Sequence, residues 1–86
     1  MIASAIMLLE YLQAALEKAR YEILPDNEGF YGEIPGFPGV YAQTNTLESC
    51  RSELASALED WILFRVSRQL PVPEVSGLSL AIKEVA

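Results

Sequence analysis

The spacing of hydrophobic residues along this chain changes from a helical period to an alternating one, and then back. In the first segment, apolar residues recur every three or four positions, which predicts a helix over residues 3–17. The residues on that stripe are Ala5, Leu9, Leu12 and Leu16. The apolar surface extends beyond the stripe to Met7, Leu8 and Tyr11, so this helix has more apolar surface than one stripe can bury.

Three short segments of alternating polarity follow, and together they predict an antiparallel meander. The predicted strands are residues 18–24, 30–34 and 40–44. Turn-forming residues occupy 25–29, and a Pro-Gly-Phe-Pro-Gly loop occupies 35–39. In the first strand, one face carries Ala19, Tyr21 and Ile23, which is typical of a half-buried strand.

The helical period then returns in a long helix that lies between a capping residue and two prolines. Either Asn45 or Thr46 can cap its start. Pro71 and Pro73 predict that it ends near Leu70. The face that covers the sheet carries Leu47, Cys50, Leu54, Ala57, Leu58 and Trp61.

After Ile62 this helix places apolar residues on the face that had been polar. These residues are Leu63, Val66 and Leu70, while Arg65 falls on the core side. A helix of about 24 residues is about 36 Å long, whereas a strand of about six residues spans about 20 Å. The helix end must therefore overhang the sheet, and either the first helix or a second subunit must cover it. We expect a homo-oligomer, a dimer or a tetramer, whose interface includes Leu63, Val66 and Leu70.

These elements predict an α+β fold, in which an N-terminal helix precedes a three-stranded antiparallel meander backed by one long helix. Residues 78–84 alternate weakly and are a candidate fourth strand. The 86 residues are expected to form a single domain, 1–86. A hydrophobic content of 51% is high for so short a chain, which also favours self-association.

The chain has 12 acidic and 6 basic residues, no histidine and one cysteine. A net charge of −6 disfavours direct binding of nucleic acid or an anionic membrane and favours a basic protein as partner. Without histidine, histidine-dependent catalysis is excluded. The single cysteine, Cys50, excludes an internal disulfide and a Cys/His zinc site, and we expect it to be a buried structural thiol.

The apolar N-terminus raises the question of a signal peptide. Both Met1 and Met7 are candidate translation starts, and a start at Met7 would make the first six residues peripheral. Lys and Arg are absent before the apolar run, and Glu10 interrupts it. A secretory signal and a membrane span are both poor fits, so we expect a cytoplasmic protein.

The carboxylates between Tyr21 and Cys50 are the remaining reactive groups, and neither Lys nor Arg lies among them. These residues are Glu22, Asp26, Glu28, Glu33 and Glu48. They are open to three interpretations: a solvated surface, a divalent-metal site, or an acidic face that binds a basic protein surface. We expect no metal or other cofactor, because Glu33 points outward from a strand that neighbours the turn holding Asp26 and Glu28.

The run from Gly29 to Cys50 resembles the HicB-like antitoxin domain. That family has a Gly-aromatic strand, an acidic-Pro-aromatic-Pro-Gly hairpin, a further strand and a Thr-Leu-Glu helix start. The matching residues are Tyr31, Glu33, Pro35, Phe37, Pro38, Gly39, Thr46, Leu47 and Glu48. The similarity covers roughly residues 18–75.

The resemblance implies a partial ribonuclease H-like fold and the role of a short stand-alone antitoxin. Family members neutralise HicA, a small basic toxin that cleaves messenger RNA. Longer members carry a C-terminal DNA-binding module, which we do not expect in this chain. The residues expected to bind a HicA-like toxin are Glu22, Asp26, Glu28, Tyr31, Glu33 and Phe37.

Two other function classes stay open. One is an oligomeric scaffold, an orphan HicB-like protein without a toxin partner. The other is a reduced ribonuclease H-like nuclease that uses Glu22, Asp26, Glu33 and Glu48 with magnesium. Nucleases of that fold place acids centrally on the first strand, where this chain has only Glu22, so we expect no enzyme and no catalytic residue. A neighbouring gene for a small basic protein with a lone histidine would favour the antitoxin over the scaffold.

Overall fold

The computed structural model describes residues 2–78, with side chains described from residue 8 onward. The elements are helix α1 (Ile2–Glu17), strands β1 (Arg20–Ile23), β2 (Phe30–Glu33) and β3 (Tyr41–Thr44), and helix α2 (Leu47–Ser67). This order confirms the predicted α+β fold, in which a three-stranded antiparallel sheet follows one helix and precedes another. The finer expectation of a partial ribonuclease H-like fold stays a prediction.

The candidate fourth strand falls almost entirely outside the described residues. Only Leu78 of that segment is described, and it forms an isolated antiparallel bridge with Val75. The prediction for 79–84 therefore stays open.

The sheet has the order β1-β2-β3, and α2 packs over β2 and β3. Tyr21, Gly32 and Ala42 lie opposite one another across the three strands. A Cβ atom on Gly32 would lie 2.8 Å from the Tyr21 ring and 3.2 Å from the Cys50 Sγ atom. Because glycine occupies this position, the Tyr21 ring and the helix can both pack close to the centre of the sheet.

The core lies between this inner sheet face and α2, and it extends to α1. The most buried side chains of α2 are Cys50, Leu54, Leu58 and Ile62, each at most 2% exposed. Helix α1 contributes Tyr11 and Ala15, which are fully buried. The predicted covering face of α2 is confirmed at its centre, but it is wrong at Leu47, which is 40% exposed in the first turn of the helix.

The prediction of a half-buried face on β1 is wrong at Ile23, which is 77% exposed. Ala19 and Tyr21 are half-buried, as expected. Ile23 lies at the end of an edge strand, opposite Phe30, whereas α2 packs over β2 and β3. The alternating pattern identifies the face on which a residue lies, but it does not show whether another element reaches that part of the face.

Helix α2 begins after Thr46, which is its N-cap, and it ends at Ser67, three residues before the predicted Leu70. Gln69 has a φ of 56°, in the left-handed region. The Leu70 amide donates to the carbonyl of Arg65 at 2.8 Å, and the Gln69 amide donates to that of Val66 at 3.1 Å. This pair of bonds is the Schellman arrangement, so the helix ends through its own backbone before the prolines are reached.

Candidate functional site

The side of the sheet that faces away from α2 carries two cross-strand rows of polar and aromatic residues. One row consists of Glu22, Tyr31 and Gln43, and the other of Arg20, Glu33 and Tyr41. We call these six residues the outer face. They alternate along the strands with Gly32 and Ala42, which are buried beneath the helix. The outer face is therefore the side of the sheet that neither described helix covers.

A stacked pair of tyrosines lies on the outer face. The rings of Tyr31 and Tyr41 have centroids 6.3 Å apart and are inclined by 24°. Tyr31 is paired in register with Gln43, so Tyr41 is its diagonal neighbour, at a spacing that long aromatic side chains can bridge. Tyr41 is 60% exposed. The pair thus presents rigid aromatic surface bearing two hydroxyl groups.

Acidic residues flank the tyrosines and change how Tyr31 ionises. The pKa of Tyr31 is raised by loss of hydration and by the negative charges of Glu33 and Glu22. Like an ordinary tyrosine, Tyr31 is neutral around pH 7 and can both donate and accept hydrogen bonds, and the raised pKa extends that neutral form to more alkaline solution.

The outer face is less uniformly acidic than the sequence suggests. Arg20 lies directly opposite Glu33 in the strand register. This base precedes the base-free stretch along the chain, but the antiparallel pairing of β1 with β2 brings it onto the same face. The surface therefore mixes acidic, basic and aromatic groups.

Two consecutive Pro-Gly turns form the loop at one end of the outer face. They comprise residues 34–37 and 37–40, and in each turn the amide of the fourth residue donates to the carbonyl of the first at 3.1 Å. Gly36 and Gly39 have φ values of 88° and 90°. A type II turn requires a positive φ at its third position, which glycine supplies here, and proline is common at its second. The Pro-Gly-Phe-Pro-Gly motif is thus a rigid double turn, and a depression of about 380 Å³ lies between it and the two tyrosines.

The assignment of Phe37 to the partner-binding surface is wrong. Its side chain is only 3% exposed, because the double turn directs the ring into the core. There it packs edge-on against Trp61 at 5.3 Å and against Tyr11 at 6.4 Å between centroids. The side chains that this loop exposes are those of its two prolines, Pro35 and Pro38.

The remaining predicted site residues divide between the two ends of the sheet. Glu22, Tyr31 and Glu33 lie on neighbouring strands of the outer face. Asp26 and Glu28 are exposed in the turn between β1 and β2. That turn joins the strand ends farthest from Glu33, about 10 Å away along β2. The structure therefore brings three of the predicted residues together and leaves the two turn acids apart.

Other chemistries have little support among the described residues. Within residues 2–78, Asp, Glu and Cys side chains do not converge in groups of three that could hold a metal ion. Neither described helix combines the length and the hydropathy required to cross a bilayer. Cys50 is fully buried, and burial raises the pKa of its thiol, which confirms the expectation of a buried structural cysteine.

A second exposed surface lies at the end of α2. Leu63 and Leu70 are 63% and 40% exposed, so α1 does not bury all three of the predicted interface residues. Val66 is half-buried against the core and is the least accessible of the three. The sequence reasoning missed Phe64, which is 52% exposed beside Leu63. Plotting position 64 on the helical wheel places it on the flank of the Leu63 face, and this signal was available in the sequence.

Arg65 lies on the core side of the helix end, as predicted. Its Nε atom donates to the Pro71 carbonyl at 2.8 Å, and its guanidinium lies 4.7 Å from the centroid of the Trp61 ring. It therefore holds the proline segment against the helix.

Together, the elements define a small α+β fold in which α2 covers one side of the sheet and the outer face is the other side. Residues 10–73 match the family described as UPF0150-like, and the chain belongs to that family. Its structure is similar to the crystal structure of TTHA0281 from Thermus thermophilus, with 41% sequence identity and a TM-score of 0.85. The similarity covers 91% of this chain and 96% of that one. No curated protein matches the chain.

Proposed function

We propose that this chain is an antitoxin-like module that binds and masks a small basic HicA-type, mRNA-cleaving toxin. The observation that carries the proposal is the stacked Tyr31–Tyr41 pair, flanked by carboxylates on a sheet face that α2 does not cover. Support also comes from membership of the UPF0150-like family and from the HicB-like motifs between Gly29 and Cys50.

The chemistry of the outer face suits a basic protein partner. Rigid aromatic side chains supply contact area at a small entropic cost and often dominate binding energy. Glu22 and Glu33 supply negative charge that steers and orients a positively charged surface. A toxin that cleaves RNA needs such a surface to hold its substrate, so the domain that covers it also blocks cleavage.

We also propose that the chain has no catalytic activity of its own. A reduced nuclease would need Glu22, Asp26, Glu33 and Glu48 to converge on a metal ion. These residues lie on β1, in the following turn, at the far end of β2 and in the first turn of α2. This separation favours a binding role over catalysis.

The test is coexpression of this chain with a candidate toxin, meaning a small basic protein encoded in a gene adjacent to its own. We expect the basic protein alone to arrest growth of a bacterial host, and this chain to relieve the arrest and to copurify with it. The double variant Tyr31→Ala/Tyr41→Ala should weaken the complex about tenfold or more. Glu22→Lys and Glu33→Lys should slow association, most strongly at low salt.

Glu53→Lys is the matched control, because it makes the same charge change at an exposed position of α2. It should bind as the wild type does. A neighbouring basic protein that neither arrests growth nor binds would contradict the antitoxin role. Binding that withstands all four outer-face substitutions would contradict the site.

An oligomeric scaffold without a toxin is the second candidate. The observation that favours it is the exposed apolar surface formed by Leu63, Phe64 and Leu70. A stable oligomer from a genome without a small basic neighbour would support this alternative.

A further inference from the structure

Large hydrophobic side chains are exposed near the end of α2. They lie within the helix, so their exposure is not that of a chain terminus or a loop. Leu63 is 63% exposed and Phe64 is 52% exposed. At 100° per residue, Leu63 points directly away from the core residues of the same helix, and Phe64 lies on its flank. This surface is separate from the outer face, because α2 lies against the opposite side of the sheet.

Phe64 is the middle member of a stripe with opposite charges at its two ends. Asp60, Phe64 and Arg68 are spaced four residues apart, so they lie one above another on one side of the helix. Asp60 and Arg68 are both exposed. The Arg68 guanidinium lies 5.0 Å from the centroid of the Phe64 ring, which keeps the positive charge on the stripe.

A stripe with opposite charges at its two ends is complementary to a second copy of itself when the two copies run antiparallel. We propose that two copies of this chain form a two-fold dimer in which their α2 helices pack antiparallel across Phe64. In this arrangement Phe64 meets the partner's Phe64, and Asp60 lies level with the partner's Arg68. The two-fold axis repeats that ion pair on the other side, while Leu63 packs beside the aromatic pair.

The charges of Asp60 and Arg68 favour an antiparallel over a parallel pair of α2 helices, and they favour a second copy of this chain over other binding partners. A parallel pair would place Asp60 against the partner's Asp60 and Arg68 against the partner's Arg68, and both contacts are repulsive. Two chains of net charge −6 repel one another over most of their surface, so association requires a patch that presents both signs. Nucleic acid or an anionic membrane would match Arg68 but would be repelled by Asp60, whereas a second copy uses both residues.

The test is a sedimentation measurement over a concentration series, with charge-swapped variants. The wild type should dimerise at micromolar concentrations. Asp60→Arg, Arg68→Asp and Phe64→Ala should each raise the dimer dissociation constant about tenfold or more. The double variant Asp60→Arg/Arg68→Asp restores opposite charges at both contacts and should return the constant to within about threefold of the wild type.

Glu53→Arg is the matched control, since it makes the same charge change as Asp60→Arg on the same helix. An antiparallel pair centred on Phe64 would place position 53 level with position 75 of the partner, beyond the end of α2. This variant should dimerise as the wild type does. Circular dichroism and Trp61 fluorescence check that each variant is folded, and all the altered residues are exposed.

Three outcomes would overturn the proposal. The first is a wild type that is monomeric at tens of micromolar. The second is a dimer that Asp60→Arg and Phe64→Ala leave unchanged. The third is a double variant as weak as its single parents, which would show that the two charges do not face each other across the interface. None of these measurements uses a toxin, so the dimer and the antitoxin role can fail independently.

Discussion

Phe37 packs edge-on against Trp61, with ring centroids 5.3 Å apart and an interplanar angle of 62°. Phe37 comes from the loop between β2 and β3, and Trp61 comes from the second half of α2. Tyr11 of α1 contacts the same phenylalanine ring, with its centroid 6.4 Å away. One side chain of a surface loop therefore joins the hairpin to both helices.

Replacing Phe37 with alanine should be strongly destabilising. Deletion of a buried phenylalanine typically lowers the free energy of unfolding by about 3 to 5 kcal/mol, a large fraction of what so short a chain has available. Urea unfolding followed by Trp61 fluorescence would measure the loss. Tyr41→Ala in the same hairpin is the control, and we expect it to cost less than about 1 kcal/mol because the side chain is mostly exposed. Equal losses would contradict the anchoring role of Phe37.

The start of α2 distinguishes two capping residues that the sequence leaves equivalent. The hydroxyl oxygen of Thr46 accepts a hydrogen bond from the Ser49 amide at 3.1 Å. The Ser49 hydroxyl also donates to the Thr44 hydroxyl oxygen at 2.7 Å, which ties the cap to the end of β3. Thr46→Ala should therefore lower the free energy of unfolding by about 1 kcal/mol. Asn45→Ala should change it by less than about 0.5 kcal/mol, and a larger loss from Asn45→Ala would reverse the assignment.

Much of the fold could be predicted from the sequence, because the spacing of apolar residues and the positions of turn-forming residues are local properties of the chain. The change from helical to alternating spacing after Glu17, and the Pro-Gly dipeptides of the second turn, located the helices and strands to within a few residues. The HicB-like motifs identified the hairpin segment, and that segment lies within the region of the UPF0150-like match.

The errors concern properties that depend on distant residues. Ile23 has the right alternation for burial, but no described helix reaches the end of β1 on that side. Phe37 occupies a motif position that looks exposed, and only the geometry of the double turn directs its ring inward. Arg20 lies outside the base-free stretch along the chain, yet strand pairing sets it opposite Glu33. Each outcome required the tertiary arrangement, which periodicity does not specify.

We expect no nuclease activity from the purified chain. The acids that a reduced ribonuclease H-like site would need lie on separate elements. Incubation with labelled RNA and with an RNA–DNA hybrid, in the presence of magnesium or manganese, should leave both substrates intact. Metal-dependent cleavage that disappears in Glu22→Gln or Glu33→Gln would contradict this prediction, whereas cleavage unaffected by either change would indicate a contaminant.

Tyr11 provides a link between packing and pH. Its side chain is completely buried, and its hydroxyl donates a hydrogen bond to the Pro73 carbonyl oxygen. Burial raises the pKa of Tyr11 from 10.0 to about 12 in the folded chain. The contact holds the proline segment against α1, so ionisation of this phenol would place a charge within the core.

Stability should therefore fall in alkaline solution. Below pH 10 the Tyr11 phenol is protonated in both the folded and the unfolded chain, so it adds no pH dependence. Between pH 10 and about 12 the unfolded chain loses this proton while the folded chain retains it, so the free energy of unfolding decreases by at most about 2.7 kcal/mol.

Tyr11→Phe removes this contribution, and it also removes a hydrogen bond worth about 1 kcal/mol at neutral pH. In urea unfolding from pH 7 to pH 11.5 (about three-quarters of the way through that window), the wild type should start as the more stable protein and lose its advantage as the pH rises. A difference between the two proteins that stays constant across the series would contradict the raised pKa.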